Sequence, residues 1–246
     1  MTKRMFRIGQ IVPSSNTTME TEVPAFLNRH AAEQGDLGFT FHSSRMRMKH
    51  VNLAELAAMD QDSHRCAAEL ADAPIDVAGY ACLVAIMAMG QGYHRRSEAT
   101  LGEISAQGGP GFPVVTSAGA LCSELKAAGF TTVSLLMPYA DALAKVVAEY
   151  LEAEGITVRA WINFSVTNNQ EVGRIPGTRL LEALDQLDTT GVDAVVLSAC
   201  VQMPSFDTLD AARDKLGLPV TSTAECTARA MLRALGQPVG PLGVRA

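Results

Sequence analysis

The chain has no run of basic residues, and its 20 lysines and arginines are outnumbered by 26 acidic residues, for a net charge of -6. That balance argues against nucleic acid or an anionic membrane surface as a natural partner. The longest apolar stretch, Val77 to Gly90, is about 14 residues, short of a bilayer span. The segment from Met1 to Pro13 is too briefly apolar, and lacks the small-residue cleavage site, to read as a signal peptide. A cytoplasmic protein is therefore expected. The cysteines Cys66, Cys82, Cys122, Cys200 and Cys226 are odd in number and widely spaced, with no CxxC pair and no Cys/His metal spacing, so neither a disulfide framework nor a zinc site is indicated. A Gly-rich nucleotide fingerprint is also missing. Gly108-Gly-Pro-Gly111 precedes a strand-like stretch instead of following one, which makes it punctuation. No metal or organic cofactor is expected.

What the sequence does contain is ample material for a core, 48% hydrophobic over 246 residues, arranged in a pattern that repeats. Asp193-Ala-Val-Val-Leu-Ser-Ala-Cys200 runs from an aspartate through apolar residues to Ala-Cys, and Ile75-Asp-Val-Ala-Gly-Tyr-Ala-Cys82 does the same in the other half. Short β-branched runs of this kind, followed by helical patterns, read as buried strands of a parallel sheet. Each cysteine then falls at a strand's carboxyl end, the edge where open α/β sheets bind ligands, and two such ends could face one another across one cleft.

Other elements pair in the same way. Phe6 to Pro13 and Thr131 to Pro138 both read as strands ending at proline, and Phe112 to Ser117 is echoed by Leu218 to Ser222. A period of more than a hundred residues is too long for a solenoid and suits duplicated α/β halves. After Pro13, Ser14-Ser-Asn-Thr-Thr-Met-Glu20 supplies a polar turn with a Thr17/Glu20 capping-box spacing, a good seat for an anion at a helix start. Leu37 to Phe41 and Ile156 to Phe164 read as further strands. Helices are predicted over Leu53 to Leu70, from the Gly90 loop to Gly108, over Asp141 to Glu154, over Arg179 to Leu187 and over Ala224 to Leu235, with Ser165 to Ile175 a polar loop. Arg45, Arg47 and Lys49 read as a solvated edge, and none of the five histidines reads as catalytic.

The ordered set of Pro-Ser-Ser-Asn at 13 to 16, Tyr-Ala-Cys at 80 to 82, Met-Pro-Tyr at 137 to 139, Asn-Asn-Gln-Glu-Val-Gly-Arg-Ile at 168 to 175 and Ser-Ala-Cys at 198 to 200 resembles the aspartate/glutamate racemase superfamily, and within it the maleate cis-trans isomerases. The resemblance covers essentially the whole chain. It implies two pseudo-symmetric Rossmann-like domains, each a four-stranded parallel sheet flanked by helices, with the active site between them, no cofactor, and a homodimer. The first domain would be 1–116 completed by the C-terminal helix 223–246, and the second 117–222. It also implies that Cys82 is the nucleophile and Cys200 its acid/base partner, that Asn16, Tyr139 and Asn169 hold the substrate carboxylates, and that the enzyme serves catabolism of nicotinate or related aromatics.

A cysteine in an apolar strand is most often a small buried hydrophobe, the reading that holds for Cys66, Cys122 and Cys226 on their helical patterns. Cys82 and Cys200 stand apart because helix N-terminal dipoles at strand ends can depress a thiol pKa and make thiolate. Asn16 alone could be a helix cap, Asn168 and Asn169 turn residues, and Tyr139 a cover for the core. The expected reaction is conversion of maleate to fumarate by thiolate addition to the alkene, rotation and elimination. Backbone N–H groups after the strand ends, at Leu83, Val84, Val201 and Gln202, would serve as donors to the developing enediolate. The alternatives are a racemase of amino acids or hydantoins, with both thiols as acid and base, a malonate decarboxylase, for which a non-cysteine at 82 is expected, and a non-catalytic binder of small acids.

Overall fold

The computed structural model describes residues 3–244. The first half of the chain builds β1 (Arg4–Pro13), α1 (Met19–Gln34), β2 (Leu37–Met46), α2 (Leu53–Leu70), β3 (Val77–Tyr80), α3 (Leu83–Ala88), α4 (Tyr93–Gly108), β4 (Val114–Thr116) and α5 (Ser117–Ala127). The second builds β5 (Thr132–Met137), α6 (Asp141–Ala153), β6 (Thr157–Asn163), α7 (Asn169–Val172), α8 (Gly177–Ala183), β7 (Ala194–Ser198), α9 (Leu209–Leu216), β8 (Val220–Ser222) and α10 (Thr223–Ala234). The strands form two four-stranded parallel sheets of the same order, β2-β1-β3-β4 and β6-β5-β7-β8, as the repeated pattern predicts. Every residue of β3 and β7 is buried, which is why these runs are continuously apolar instead of alternating. Among the described residues no helix is long and apolar enough to cross a membrane.

The hydrogen bonds explain why an aspartate opens each cysteine-bearing run. Asp76 N donates to Arg7 O at 2.9 Å while its Oδ2 accepts from Arg7 N at 2.6 Å. Asp193 N donates to Thr132 O at 2.8 Å and its Oδ2 accepts from Thr132 N at 2.9 Å. Each aspartate thus pins the start of its strand to the central strand of its own sheet. At the far end the match continues: Ala81 N donates to Ile11 O at 3.0 Å and Ala199 N to Leu136 O at 2.9 Å. With both ends tied in the same register, the next residue, Cys82 or Cys200, is the first to leave the sheet at its carboxyl edge. Loops at that edge are held by a rigid scaffold, so side chains there can be placed accurately.

Several local expectations are corrected. The strand stops at Tyr80, and Cys82 stands instead at the N-terminus of α3, a short helix not foreseen. The polar loop from Ser165 to Ile175 contains α7, capped by Asn168 Oδ1, which accepts from Gln170 N and Glu171 N. β2 runs on to Met46, past the expected end at Phe41, because parallel pairing with β1 continues to Pro13↔Met46. The Thr17/Glu20 capping box does not form. Glu20 pairs with Arg45, and the first turn of α1 is capped by Asn16 Oδ1, which accepts from Thr18 N at 2.9 Å and Met19 N at 3.0 Å. Arg45 is accordingly more than a solvated edge, since it also donates to the Ser14 and Asn16 carbonyls and braces the turn. Finally, α10 lies against α1, α5 and β3 of the first half.

The two halves differ at the cysteines themselves. Cys82 has φ 109° and ψ 78°, in the left-handed region that favours glycine, whereas Cys200 has no positive φ. A non-glycine residue held there costs on the order of 1–3 kcal/mol. Glycine at 82 is therefore expected to be more stable than alanine at 82 by about 1 kcal/mol, with the order reversed at 200. Equilibrium denaturation of Cys82→Gly, Cys82→Ala, Cys200→Gly and Cys200→Ala checks this; the same Gly/Ala ranking at both positions would remove the argument for strain.

Candidate active site

Both strand-end thiols open into a single cavity between the sheets, lined by Pro13, Asn16, Met48, Val51, Cys82, Val84, Tyr139, Asn169, Cys200, Val201 and Gln202. The sequence-predicted residues converge there with one exception, Leu83, which is buried but absent from the lining. No lining residue carries a formal charge. A larger groove of about 390 Å³ lies between α1 and α10, but it holds neither thiol, and size alone does not make a reactive site. Among the described residues no group of His, Cys, Asp or Glu is arranged to hold a metal ion.

The expected depression of the thiol pKa is not found. Burial pushes the Cys82 thiol up to about 12, outweighing the Ala85 N–H directed at its sulfur, and Cys200 and Asp60 nearby push in the same direction. Burial likewise raises Cys200, against the opposing pull of the Tyr139 hydroxyl and of the Gln202 and Met203 N–H groups. The helix-start donors are present as the sequence suggests, but desolvation of a negative sulfur costs more than they return. Burial therefore holds both sulfurs toward the protonated thiol form. They are not equivalent: Cys200 has two amide N–H groups and the Tyr139 hydroxyl beside it with Glu22 acting against them, Cys82 one amide and an unfavourable charge behind it. That charge belongs to Asp60 of α2, buried and accepting from the hydroxyls of Tyr80 at 3.3 Å and Tyr93 at 2.6 Å.

Asn16 is 2% exposed and its Oδ1 is committed to capping α1, so only its Nδ2 remains to meet a ligand. Asn169 donates from Nδ2 to Ser15 Oγ at 2.9 Å, linking the second half to the turn that carries Asn16. The Tyr139 hydroxyl donates to Ala199 O at 3.2 Å, has the Val84 N–H directed toward it and lies within reach of the Cys200 sulfur; burial and both neighbouring cysteines hold its pKa well above the usual phenol value. Of the four backbone donors expected, Val84 points at Tyr139 and Gln202 at Cys200, while Ala85 and Met203, one residue further on, were missed. A strand-end turn directs its N–H groups two and three residues on, and that offset was the available signal.

The cavity is closed by the segment between β2 and α2. Met48 and Val51 face inward while Arg47, Lys49 and His50 face water, the alternation already visible in Arg-Met-Arg-Met-Lys-His. His50 bridges to Asn168, and Val51 N donates to Thr167 O at 3.2 Å, so this segment of the first half is docked on the second. What remains inside is about 20 Å³, room for little more than one water molecule. That is less room than a four-carbon diacid fills.

Residues 8–244 match the family model of arylmalonate decarboxylase. The maleate isomerase of Alcaligenes faecalis is 54% identical over 95% of this chain and 92% of its own. Among solved structures, the maleate isomerase Iso of Pseudomonas putida S16 superposes with a TM-score of 0.93 at 46% identity, covering 96% of this chain and 94% of that one. A Cys→Ser variant of Nocardia farcinica maleate cis-trans isomerase, with a covalently bound succinylcysteine intermediate, gives 0.91 at 45% identity over 96% of this chain and 94% of that one. On this identity over nearly its full length, the chain belongs to the arylmalonate decarboxylase family, in the part of it that the maleate isomerases occupy.

Proposed function

We propose that this protein is an isomerase that converts maleate to fumarate without a cofactor, using Cys82 as nucleophile and Cys200 as acid and base. The observation that carries the reading is the convergence of two unequal thiols, three carboxamides and a phenol in one small cavity whose lining carries no formal charge. A decarboxylase of this family would not need a thiol at position 82, and a racemase would be served best by two matched thiols. The succinylcysteine captured in the Nocardia farcinica relative supports covalent addition.

In this reading the Cys82 thiol first gives its proton to solvent; the thiolate sulfur then forms a bond to one alkene carbon of maleate and the π electrons move onto the neighbouring carbon and its carboxylate. The Cys200 thiol gives its proton to that carbon, leaving a succinyl thioether on Cys82 and a thiolate on Cys200 beside Tyr139. Rotation about the new single bond follows. Cys200 takes a proton back, the π bond re-forms and the Cys82–carbon bond breaks, releasing the trans diacid and the original sulfur. Asn16 and Asn169 hold the carboxylates, and the backbone N–H groups of Ala85, Gln202 and Met203 face the sulfurs on which charge comes and goes. We further read the chain as 1–116 with 223–246 and 117–222, and the protein as a cytoplasmic homodimer, the latter open to sedimentation analysis.

Four measurements test the assignment. Quenching with maleate followed by peptide mass spectrometry is expected to find one added maleate on the Cys82 peptide in Cys200→Ala, with turnover lost, and none in Cys82→Ser; an adduct on Cys200 alone would reverse the two roles. Because burial raises both thiols, the free enzyme should show no thiolate absorbance near 240 nm at pH 8. For the same reason kcat/KM should climb as pH rises from about 7 to 9; a flat profile with thiolate already present at pH 7 would refute the burial argument. Asn16→Asp keeps the oxygen that caps α1 but replaces the remaining donor with a repelling charge. It should therefore leave the thermal midpoint nearly unchanged and lower kcat/KM by at least about a hundredfold. Activity near wild type would return Asn16 to a purely capping role.

A further inference from the structure

Gln202 lines the cavity, but its carboxamide has nothing left to offer a substrate. It is 2% exposed. Its Oε1 accepts from Thr17 N at 3.0 Å and Thr18 N at 3.3 Å, and its Nε2 donates to Asn169 O at 2.9 Å and Ser15 O at 3.4 Å. An amide has two acceptor sites and two donors, so every valence is committed. Three of the four partners lie on the turn that carries Asn16, and the fourth is Asn169 itself. The Asn169 Nδ2 bond to Ser15 Oγ, 2.9 Å, closes the same ring from the other side.

Gly173 provides an independent observation. Its φ of -68° and ψ of -9° are right-handed values that any residue adopts, so no conformational need for glycine exists there. A Cβ at that position, however, would stand 2.6 Å from Gln202 Nε2 and 3.2 Å from its Cδ. The amide cannot swing aside without releasing the bonds just described. The missing methyl group leaves room for the Gln202 carboxamide.

We propose that the Gln202 side chain is a positioning residue that fixes the separation of the Asn16 and Asn169 amides across the cleft, and that Gly173 is the space it requires. The proposal rests on the reading that those two amides hold the carboxylates of the substrate. A pair of clamps carried by different halves of the chain measures the span of a cis diacid only if their distance is fixed, and no other described side chain bonds to both the Ser15–Thr18 turn and Asn169. The consequence falls on binding more than on the chemical step, because Gln202 leaves the thiols to their own donors.

The test is a double-mutant cycle of Gly173→Ala and Gln202→Ala, read as the Kd for maleate by titration calorimetry in a Cys82→Ala background and as KM and kcat with Cys82 present. Each single change is expected to raise Kd and KM about tenfold with a smaller fall in kcat, and the double variant to bind no worse than Gln202→Ala alone, because the new methyl group then meets no amide. Gly173→Ala weakening binding by the same factor with and without the Gln202 side chain would overturn the proposal, as would Gln202→Ala binding like the unaltered protein. If Gln202→Ala does not fold, Gln202→Glu, which keeps the acceptor for Thr17 and Thr18 but loses the donor to Asn169, must show the same rise in Kd. Maleate bound but never turned over by the protein with Cys82 would defeat the isomerase reading while leaving the cycle readable; no binding of maleate at all would defeat both.

Discussion

The site has to receive a dianion into a cavity whose lining carries no formal charge, and most of its features follow from that constraint. A fixed arginine clamp would bind substrate and transition state alike and so spend its attraction on the ground state. Neutral dipoles held by the scaffold do less for the resting carboxylates and more for the charge that moves between carbon and carboxylate during addition. The same absence of cations leaves only the Ala85 N–H to set against the burial of Cys82, and its thiol sits high. A sulfur that is hard to ionise is also a strong nucleophile once ionised, since little solvent has to be stripped from it. Closure by the segment carrying Met48 and Val51 intensifies both effects by removing water.

Much of the scaffold could be read before any coordinates. The Asp-to-Ala-Cys runs foretold β3 and β7 because a strand buried on both faces has to be continuously apolar, and the proline-ended runs foretold β1 and β5. Helix bounds were legible where the amphipathic pattern is strong, as for α2, which spans Leu53–Leu70 as expected. The reading failed where distant partners decide. The Thr17/Glu20 box lost to a competition that depends on Arg45, far away in sequence, and β2 outran its apolar pattern because pairing with β1 continues past it. α3 was hidden because Leu83 to Ala88 is as apolar as a strand, and periodicity cannot separate a short buried helix from a buried strand.

At the site, residue identities were legible and electrostatics were not. Asn16, Cys82, Tyr139, Asn169 and Cys200 all reach one cavity, yet the sign of the cysteine shifts went the other way, because a sequence shows which donors precede a helix but not how much water the fold removes. Asp60 behind Cys82 and the Gln202 ring gave no signal at all, since both are defined by contacts between segments far apart in the chain. Gly173, at the C-cap of α7 in a stretch that reads as a loop, looks like an ordinary loop glycine, so its steric role was hidden as well.

The backbone at position 82 has a wider meaning for the family. Because the chain there already takes the path that glycine takes most easily, the fold does not depend on having any side chain at that point. A nucleophile can be acquired or discarded by one substitution, while the strand, the helix start and its N–H groups stay where they are. A lineage built on such a backbone can move between reactions that bond a sulfur to carbon and reactions that only move protons, with no redesign of the cleft.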